Sequence, residues 1–356
     1  MIPPILGLIP LIIGIINGII GIVETSKNHY ADGKGGRSMV RITVGLDRNH
    51  GLTGAGGDLP DVEVFNEFGV SLGKRTRPGK IKAGEYIDVD IKHNHMSTQQ
   101  SPYALFGANN DAICIAMATI TWPDGSQYGW MGDWGYKCGG TWYYSNIYVQ
   151  PAGIKPRCLW IDGNSDARRT GFQVHWPEFA QGHNGSLPDT DEGKAAKARY
   201  LCTAGPPFTM TQQPNAHPKK LNFWVPKYGA DGEVKDMAVA ETRGRVYGQA
   251  EPTEEDLAAR KRAEEPFMAH SLVVSDSEQH SAEELCGSPT SMGPDFFDAR
   301  TGTFCRMADK TVWPACDYGT NTTDGCFNDV VNVLVINGVA ARDEPYVSVI
   351  DWASGS

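Results

Sequence analysis

The chain has 356 residues, a formal net charge of −10 from 42 acidic and 32 basic side chains, 41 glycines and 22 prolines. The acidic balance argues against a nucleic-acid partner, the length suggests two or three domains, and the wealth of turn formers argues against a helical bundle. No P-loop, dinucleotide fingerprint or G-x-S-x-G elbow occurs, so no cofactor is expected and no residue is assigned a catalytic role.

In chain order, residues 2–23 come first: 22 residues without a charge, ten of them isoleucine, closed by Glu24. As a helix, residues 5–23 would measure roughly 28 Å, close to the hydrocarbon thickness of a bilayer. At about 100° per residue, Gly7, Gly14, Gly18 and Gly21 fall within about 60° of one another, with Pro3, Pro10 and Asn17 near the same stripe. The predicted element is an apolar helix over 1–24 with one smooth face, and Gly14 and Gly18 have the spacing that lets two backbones approach in lipid. Its expected partners are membrane lipid, other copies of the chain, or the protein's own core. A secretory signal competes with this reading, although no Lys or Arg precedes Lys27 and no A-x-A pattern follows the run.

Residues 25–38 are polar and glycine-rich and read as a linker. From 39 to 202, short β-branched and aromatic segments recur between turn signals, at 40–46, 62–68, 86–91, 112–122, 126–132, 142–149, 158–161 and 171–176. They predict a mainly β domain with little helix, an antiparallel β-sandwich or jelly roll. Residues 182–198 look like a surface connection. Residues 203–270 read as an extended, proline-rich connection anchored by Phe208, Phe223, Trp224 and Tyr228, with an exposed polar helix at 253–265. Residues 271–356 carry four closely spaced cysteines and read as a small disulfide-stapled α+β unit.

The eight cysteines, Cys114, Cys138, Cys158, Cys202, Cys286, Cys305, Cys316 and Cys326, form no C-x-x-C pair and match no zinc spacing with the histidines. Four disulfides in an oxidising compartment are expected. Spacing leaves the pairing open; the arrangement with fewest assumptions keeps two bridges among the first four cysteines and two among the last four. Asn184-Gly-Ser and Asn321-Thr-Thr are glycosylation acceptors, in keeping with an extracellular glycoprotein. Lys74-Arg75 and Lys261-Arg262 are dibasic pairs of the kind processing proteases cut.

Lys74, Arg75, Arg77, Lys80 and Lys82 crowd five cations into nine residues, suited to an anionic headgroup or acidic glycan and equally to a solvated hairpin tip. Six of the nine tryptophans, Trp122, Trp130, Trp134, Trp142, Trp160 and Trp176, are interleaved with Asp124, Asp133, Asp162 and Glu178. Trp130, Trp134 and Trp142 are the candidate glycan contacts, and a carboxylate pair among these acids would suit glycoside hydrolysis. Core packing accounts for the same aromatics. His93 and His95 share a strand face, with His175 as a distant third imidazole. No carboxylate follows at short range, and no metal site is expected.

The segments at 121–149, 158–163 (CLWIDG), 171–179 (GFQVHWPEF) and 272–298, with the closing Cys316, Cys326 and VIDW at 349–352, resemble a group of uncharacterised secreted proteins of filamentous ascomycete fungi. The resemblance implies an extracellular, disulfide-bonded product and assigns no functional residue. These features together predict a secreted, non-enzymatic protein whose glycine-striped helix mediates membrane insertion, self-assembly or both, as a pore-former or a structural oligomer. One alternative is an extracellular carbohydrate-binding protein or glycoside hydrolase using the tryptophan-rich face. Another is a structural secreted protein with a residual targeting signal.

Overall fold

A computed structural model describes residues 13–16, 19–22, 36–45, 54–149, 153–163, 169–180, 190–212, 220–229, 231–243, 268, 270–317, 323–342 and 345–352. The chain is mainly β, with several antiparallel sheets and four disulfides.

Two sheets form a sandwich. The first runs Trp142–Tyr143, Cys158–Ile161, Ile113–Thr121, Arg37–Val44, Tyr86–Lys92, and Gln127–Met131 also pairs with Ile113–Thr121. The second runs Phe208–Gln212, Arg169–His175, Tyr103–Gly107, Asp61–Phe65, Ser71–Arg75. In Arg37–Val44 the alternation of the sequence becomes the alternation of the sheet: Ser38, Val40, Ile42 and Val44 are buried, while Arg37 is exposed and Arg41 half-buried. Rings close the space between the sheets. Trp130 of the first stacks on Phe172 of the second at 4.8 Å, and Phe172 stacks on Phe106 at 4.6 Å. Gly73 lets the edge strand of the second sheet run against the first, since a Cβ there would lie 2.2 Å from the carbonyl oxygen of Lys92.

The cysteine-rich end has its own mixed sheet, in the order Thr311–Pro314, Thr303–Arg306, Asp295–Asp298, Ser271–Ser275, Ser348–Asp351. Ser271–Ser275 is parallel to both Asp295–Asp298 and Ser348–Asp351. The helix Ala282–Gly287, capped by the Ser281 hydroxyl, bridges the first of these parallel pairs. This end is not free-standing. Val273, Leu285, Phe296 and Trp352 belong to the same hydrophobic cluster as Trp130 and Phe172. The Trp142 indole donates to Ser288 Oγ, the Tyr143 hydroxyl to the Pro294 carbonyl and the Trp160 indole to the Met292 carbonyl.

Two helices stand in the region expected to hold little helix, Gly132–Lys137 and Asp191–Thr203. The second replaces much of the expected surface connection at 182–198. The Thr190 hydroxyl caps it, and Asp191 and Glu192 place negative charge at its positive end. The sandwich also extends past Cys202, because Phe208–Gln212 is its edge strand.

The predicted N-terminal helix lies mostly outside the described residues, and the eight that are described form strands. Ile13–Ile16 pairs antiparallel with Ile19–Ile22, Ile13 opposite Ile22, Gly14 opposite Gly21 and Ile16 opposite Ile19. β-Branched isoleucine favours this state, and Asn17-Gly18, the two residues between the strands in sequence, is the pair that two-residue hairpin connections prefer. Among the described residues no helix is long and apolar enough to cross a membrane.

The disulfides are Cys114–Cys158, Cys138–Cys202, Cys286–Cys305 and Cys316–Cys326, two within each half of the cysteine series. Cys138–Cys202 joins the ends of the two helices across 64 residues of sequence. Replacing both of its cysteines by serine is expected to lower the unfolding free energy by about 4 kcal/mol, the chain-entropy value for a loop of this size, as read from guanidinium denaturation.

Candidate functional site

The tryptophans expected to stack on a glycan are core residues. Trp130, Trp134 and Trp142 are 0%, 3% and 0% exposed, and Trp122, Trp160 and Trp176 are buried with them. Their rings pack against protein: Trp130 stacks on Phe172 and Phe208, and Trp134 and Trp142 make T-shaped contacts, with Phe179 and with Tyr136 and Tyr144. This corrects the tryptophan-face reading, since a sugar ring needs an aromatic face open to solvent.

The basic residues occupy two short strands and the turn between them. Arg75, Arg77, Lys80 and Lys82 are exposed and Lys74 half-buried. Lys80 is compensated by Asp58 at 3.3 Å and Asp111 at 3.2 Å. The histidines do not converge. His93 is buried between the hydroxyl of Ser38 and the carbonyl of Ser97, His95 is exposed in a left-handed turn, and His175 sits in the other sheet. Among the described residues no group of three His, Cys, Asp or Glu side chains is placed to hold a metal. Asn184, Asn321, Gly7, Asn17, Gly18 and the expected helix at 253–265 lie outside the described residues.

The arrangement with the most chemistry is one the sequence had divided between two ideas. His175 ends the strand Arg169–His175, and the 3-10 turn Trp176–Phe179, with Pro177 near its start, brings Glu178 back over it. His175 Nδ1 lies 2.8 Å from Glu178 Oε1, and on its other side Nε2 lies 3.4 Å from Glu67 Oε1. Glu178 is buried, whereas the Glu67 side chain is 55% exposed, so the imidazole bridges an interior and a surface carboxylate. The Tyr103 ring stacks on the imidazole with centroids 4.0 Å apart, and its hydroxyl accepts the backbone N–H of Trp224 at 3.1 Å. The Trp224 indole donates to Glu178 Oε1 at 2.7 Å.

Burial disfavours the charged ring of His175, but the hydrogen bonds and charges of Glu178 and Glu67 outweigh it and raise its pKa above 6.5. Burial likewise opposes the Glu178 carboxylate, and the hydrogen bonds of His175, Tyr200 and Trp224 prevail and hold it below 4.5. Each member of the pair thus favours the charged form of the other. The pair's chemical effect is to fasten a two-stranded ribbon, Lys220–Tyr228 paired with Val234–Arg243, to the sandwich. Gln173 completes the attachment: its Nε2 donates to the Asn222 carbonyl at 2.8 Å, and its Oε1 accepts the Asn222 N–H at 2.9 Å.

A second, partly buried charge cluster lies where the sandwich meets the cysteine-rich end. Arg157 donates to Asp133 Oδ1 at 3.0 Å and to both oxygens of Glu284 at 2.7 Å. Its guanidinium lies over the rings of Tyr136, Trp142 and Tyr144, at 4.5, 5.3 and 5.5 Å from their centroids. Burial pushes the Asp133 carboxyl above its ordinary range despite the neighbouring Arg157. Such a set is suited to joining two parts of a fold, with no nucleophile among its members.

These elements define a mainly β, disulfide-stapled protein built on a sandwich, with a projecting ribbon. No protein-family model matches the chain, and no curated protein matches it.

Two predictions follow from the charge clusters. Arg157→Ala strands Asp133 without its cation and is expected to destabilise the fold by about 3 kcal/mol or more, measured by chemical denaturation. His175→Gln tests the bridged pair through pH. The raised pKa of His175 means that its contribution is full below 6.5 and fades as pH rises through the folded-state value. The lowered pKa of Glu178 means that its contribution is full above 4.5 and fades as pH falls through its own folded-state value. The stability gap between wild type and His175→Gln is thus expected to reach about 2 kcal/mol between these limits and to shrink on the alkaline side.

Proposed function

We propose that this is an extracellular, non-enzymatic protein that works at a lipid surface, with the charge-free N-terminal segment as its lipid-seeking part. The observation that carries this reading is the run of 22 uncharged residues, within which two isoleucine-rich strands pair with each other. Strands of four residues reach about 13 Å, less than half of a hydrocarbon core of about 30 Å. The described strands therefore reach into one leaflet. Among the described residues this strand pair joins no other sheet, and backbone N–H and C=O groups along an unpaired edge are costly to place in lipid. Pairing with the hairpin of another copy satisfies them, so insertion and self-assembly are two sides of one process. Four disulfides support an oxidising, extracellular setting, as do the sequence resemblance to secreted fungal proteins and the two glycosylation acceptors.

The test is flotation with phosphatidylcholine vesicles, alongside size-exclusion chromatography of the full chain and a form lacking residues 2–23. The full chain is expected to float and to form oligomers, and the shortened form to remain in solution as a monomer. Equal behaviour of the two forms in both measurements would refute the proposal, as would a protein isolated from its natural source that begins after Glu24.

A further inference from the structure

The ribbon that His175 and Glu178 fasten has one face that is anchored at its base and open toward its tip. Residues opposite each other in an antiparallel pair share a face. The pairs Trp224–Val239 and Pro226–Met237 therefore form one apolar stripe, which Tyr228, paired with Val234 across a register shift, continues toward the ribbon tip. The base of the stripe is tied down, because Trp224 bonds Glu178 and lies parallel to the Tyr200 ring. The rest is open: Tyr228 is 65%, Val234 52%, Met237 42% and Val239 49% exposed.

Charge on the ribbon sums to zero, four cations against four anions, and three of the pairs meet. Lys220 meets Glu241 at 2.9 Å, Lys227 meets Asp236 at 3.6 Å, and Lys235 meets Asp231 at 2.7 Å. The stripe is therefore bordered by neutral pairs, within a chain of formal charge −10. An excess of cations would select an anionic surface, and these three pairs supply none. Size argues against a second copy as the occupant. Strands of nine or ten residues present a face of about 30 by 10 Å, so two ribbons face to face would bury about 600 Å², against about 1,200 Å² for the smaller stable interfaces. A tyrosine at the outer end of an apolar stripe suits the boundary between headgroups and hydrocarbon, where the ring body is buried and the hydroxyl stays wet.

We propose that the outward face of the 220–243 ribbon, with Tyr228, Val234, Met237 and Val239, is a contact surface for zwitterionic lipid. It rests on the reading that the protein works at a lipid surface, and adds a second contact remote in sequence from the first.

The experiment is flotation of the full chain with phosphatidylcholine vesicles, with four proteins compared: wild type, Tyr228→Ser/Met237→Ser, Val347→Ser, and the form lacking residues 2–23. Val347 is 83% exposed in the cysteine-rich end and controls for loss of any exposed apolar side chain. Circular dichroism and thermal unfolding confirm that each variant is folded. Tyr228→Ser/Met237→Ser is expected to lower the bound-to-free ratio on the order of tenfold, with Val347→Ser unchanged. A ribbon variant that binds as wild type does, or a Val347→Ser variant equally weakened, overturns the ribbon contact; loss of binding on removal of 2–23 would then still support the N-terminal proposal. Binding that survives removal of 2–23 but is lost in the ribbon variant supports the ribbon and refutes the N-terminal segment as the lipid-seeking part. A wild type that does not float refutes both.

Discussion

Arg157 is the constraint on which the molecule's unity depends. A guanidinium taken out of water is tolerated only where carboxylates and ring faces replace its hydration. Here the replacements come from different stretches of chain: Asp133 and Tyr136 from the short helix after Gln127–Met131, Trp142 and Tyr144 from the next strand region, and Glu284 from the cysteine-rich end. The Tyr144 hydroxyl closes the ring by donating to Glu284 at 2.5 Å. Undocking the cysteine-rich end would strip Arg157 of its strongest partner and uncover the aromatic strand at 142–144. At Gly293 this packing is so close that a Cβ would lie 2.3 Å from the Tyr143 ring. Two stretches that sequence separates into domains therefore share one core.

Much of the sandwich was legible because its strands are β-branched and aromatic runs set between turn signals; Arg37–Val44 and Tyr86–Lys92 also alternate, whereas Asp61–Phe65 and Cys158–Ile161 are buried throughout. All eight segments expected between 39 and 202 contain or overlap a strand, and Cys158–Ile161 matches at both ends. Tyr103–Gly107, also buried throughout, escaped notice because YALFG holds no β-branched residue and includes Ala and Gly, which are poor strand formers. Ser71–Arg75 reads as a loop from its glycine and charges, which an edge strand accommodates. At the N-terminus the difficulty is one of period. A segment apolar on every side carries no amphipathic signal, and glycines three and four apart mimic a helical stripe even where two of them, Gly14 and Gly21, face each other across a strand pair.

The candidate site was less legible than the fold, for a reason of distance. His175 and Glu178 are three residues apart and both were conspicuous in the sequence, one as a metal ligand and the other as a sugar-site acid. What joins them is a 3-10 turn, and what gives the pair its consequence is Trp224, 46 residues further on. Glu67, which reaches the imidazole from the surface, is 108 residues away. No local pattern encodes those meetings; they follow from strand order, which sets Tyr103–Gly107 between Asp61–Phe65 and Arg169–His175.

Net charge and lipid affinity would seem to conflict in a chain of formal charge −10. The conflict is reduced by where the charge sits. The N-terminal run has none, and the three ribbon lysines each face a carboxylate. From Trp224 to Tyr228 the ribbon advances by about 13 Å at the rise of an extended strand, whereas the screening length at physiological ionic strength is about 8 Å. Charge on the sandwich is thus largely screened at the ribbon's outer end. On the lipid reading proposed above, the charge-free N-terminal run and the charge-balanced ribbon meet a zwitterionic surface that neither attracts nor repels them electrostatically. Apolar burial then decides the contact, so its strength should depend little on salt, in contrast to a contact made through Arg75, Arg77 and Lys82.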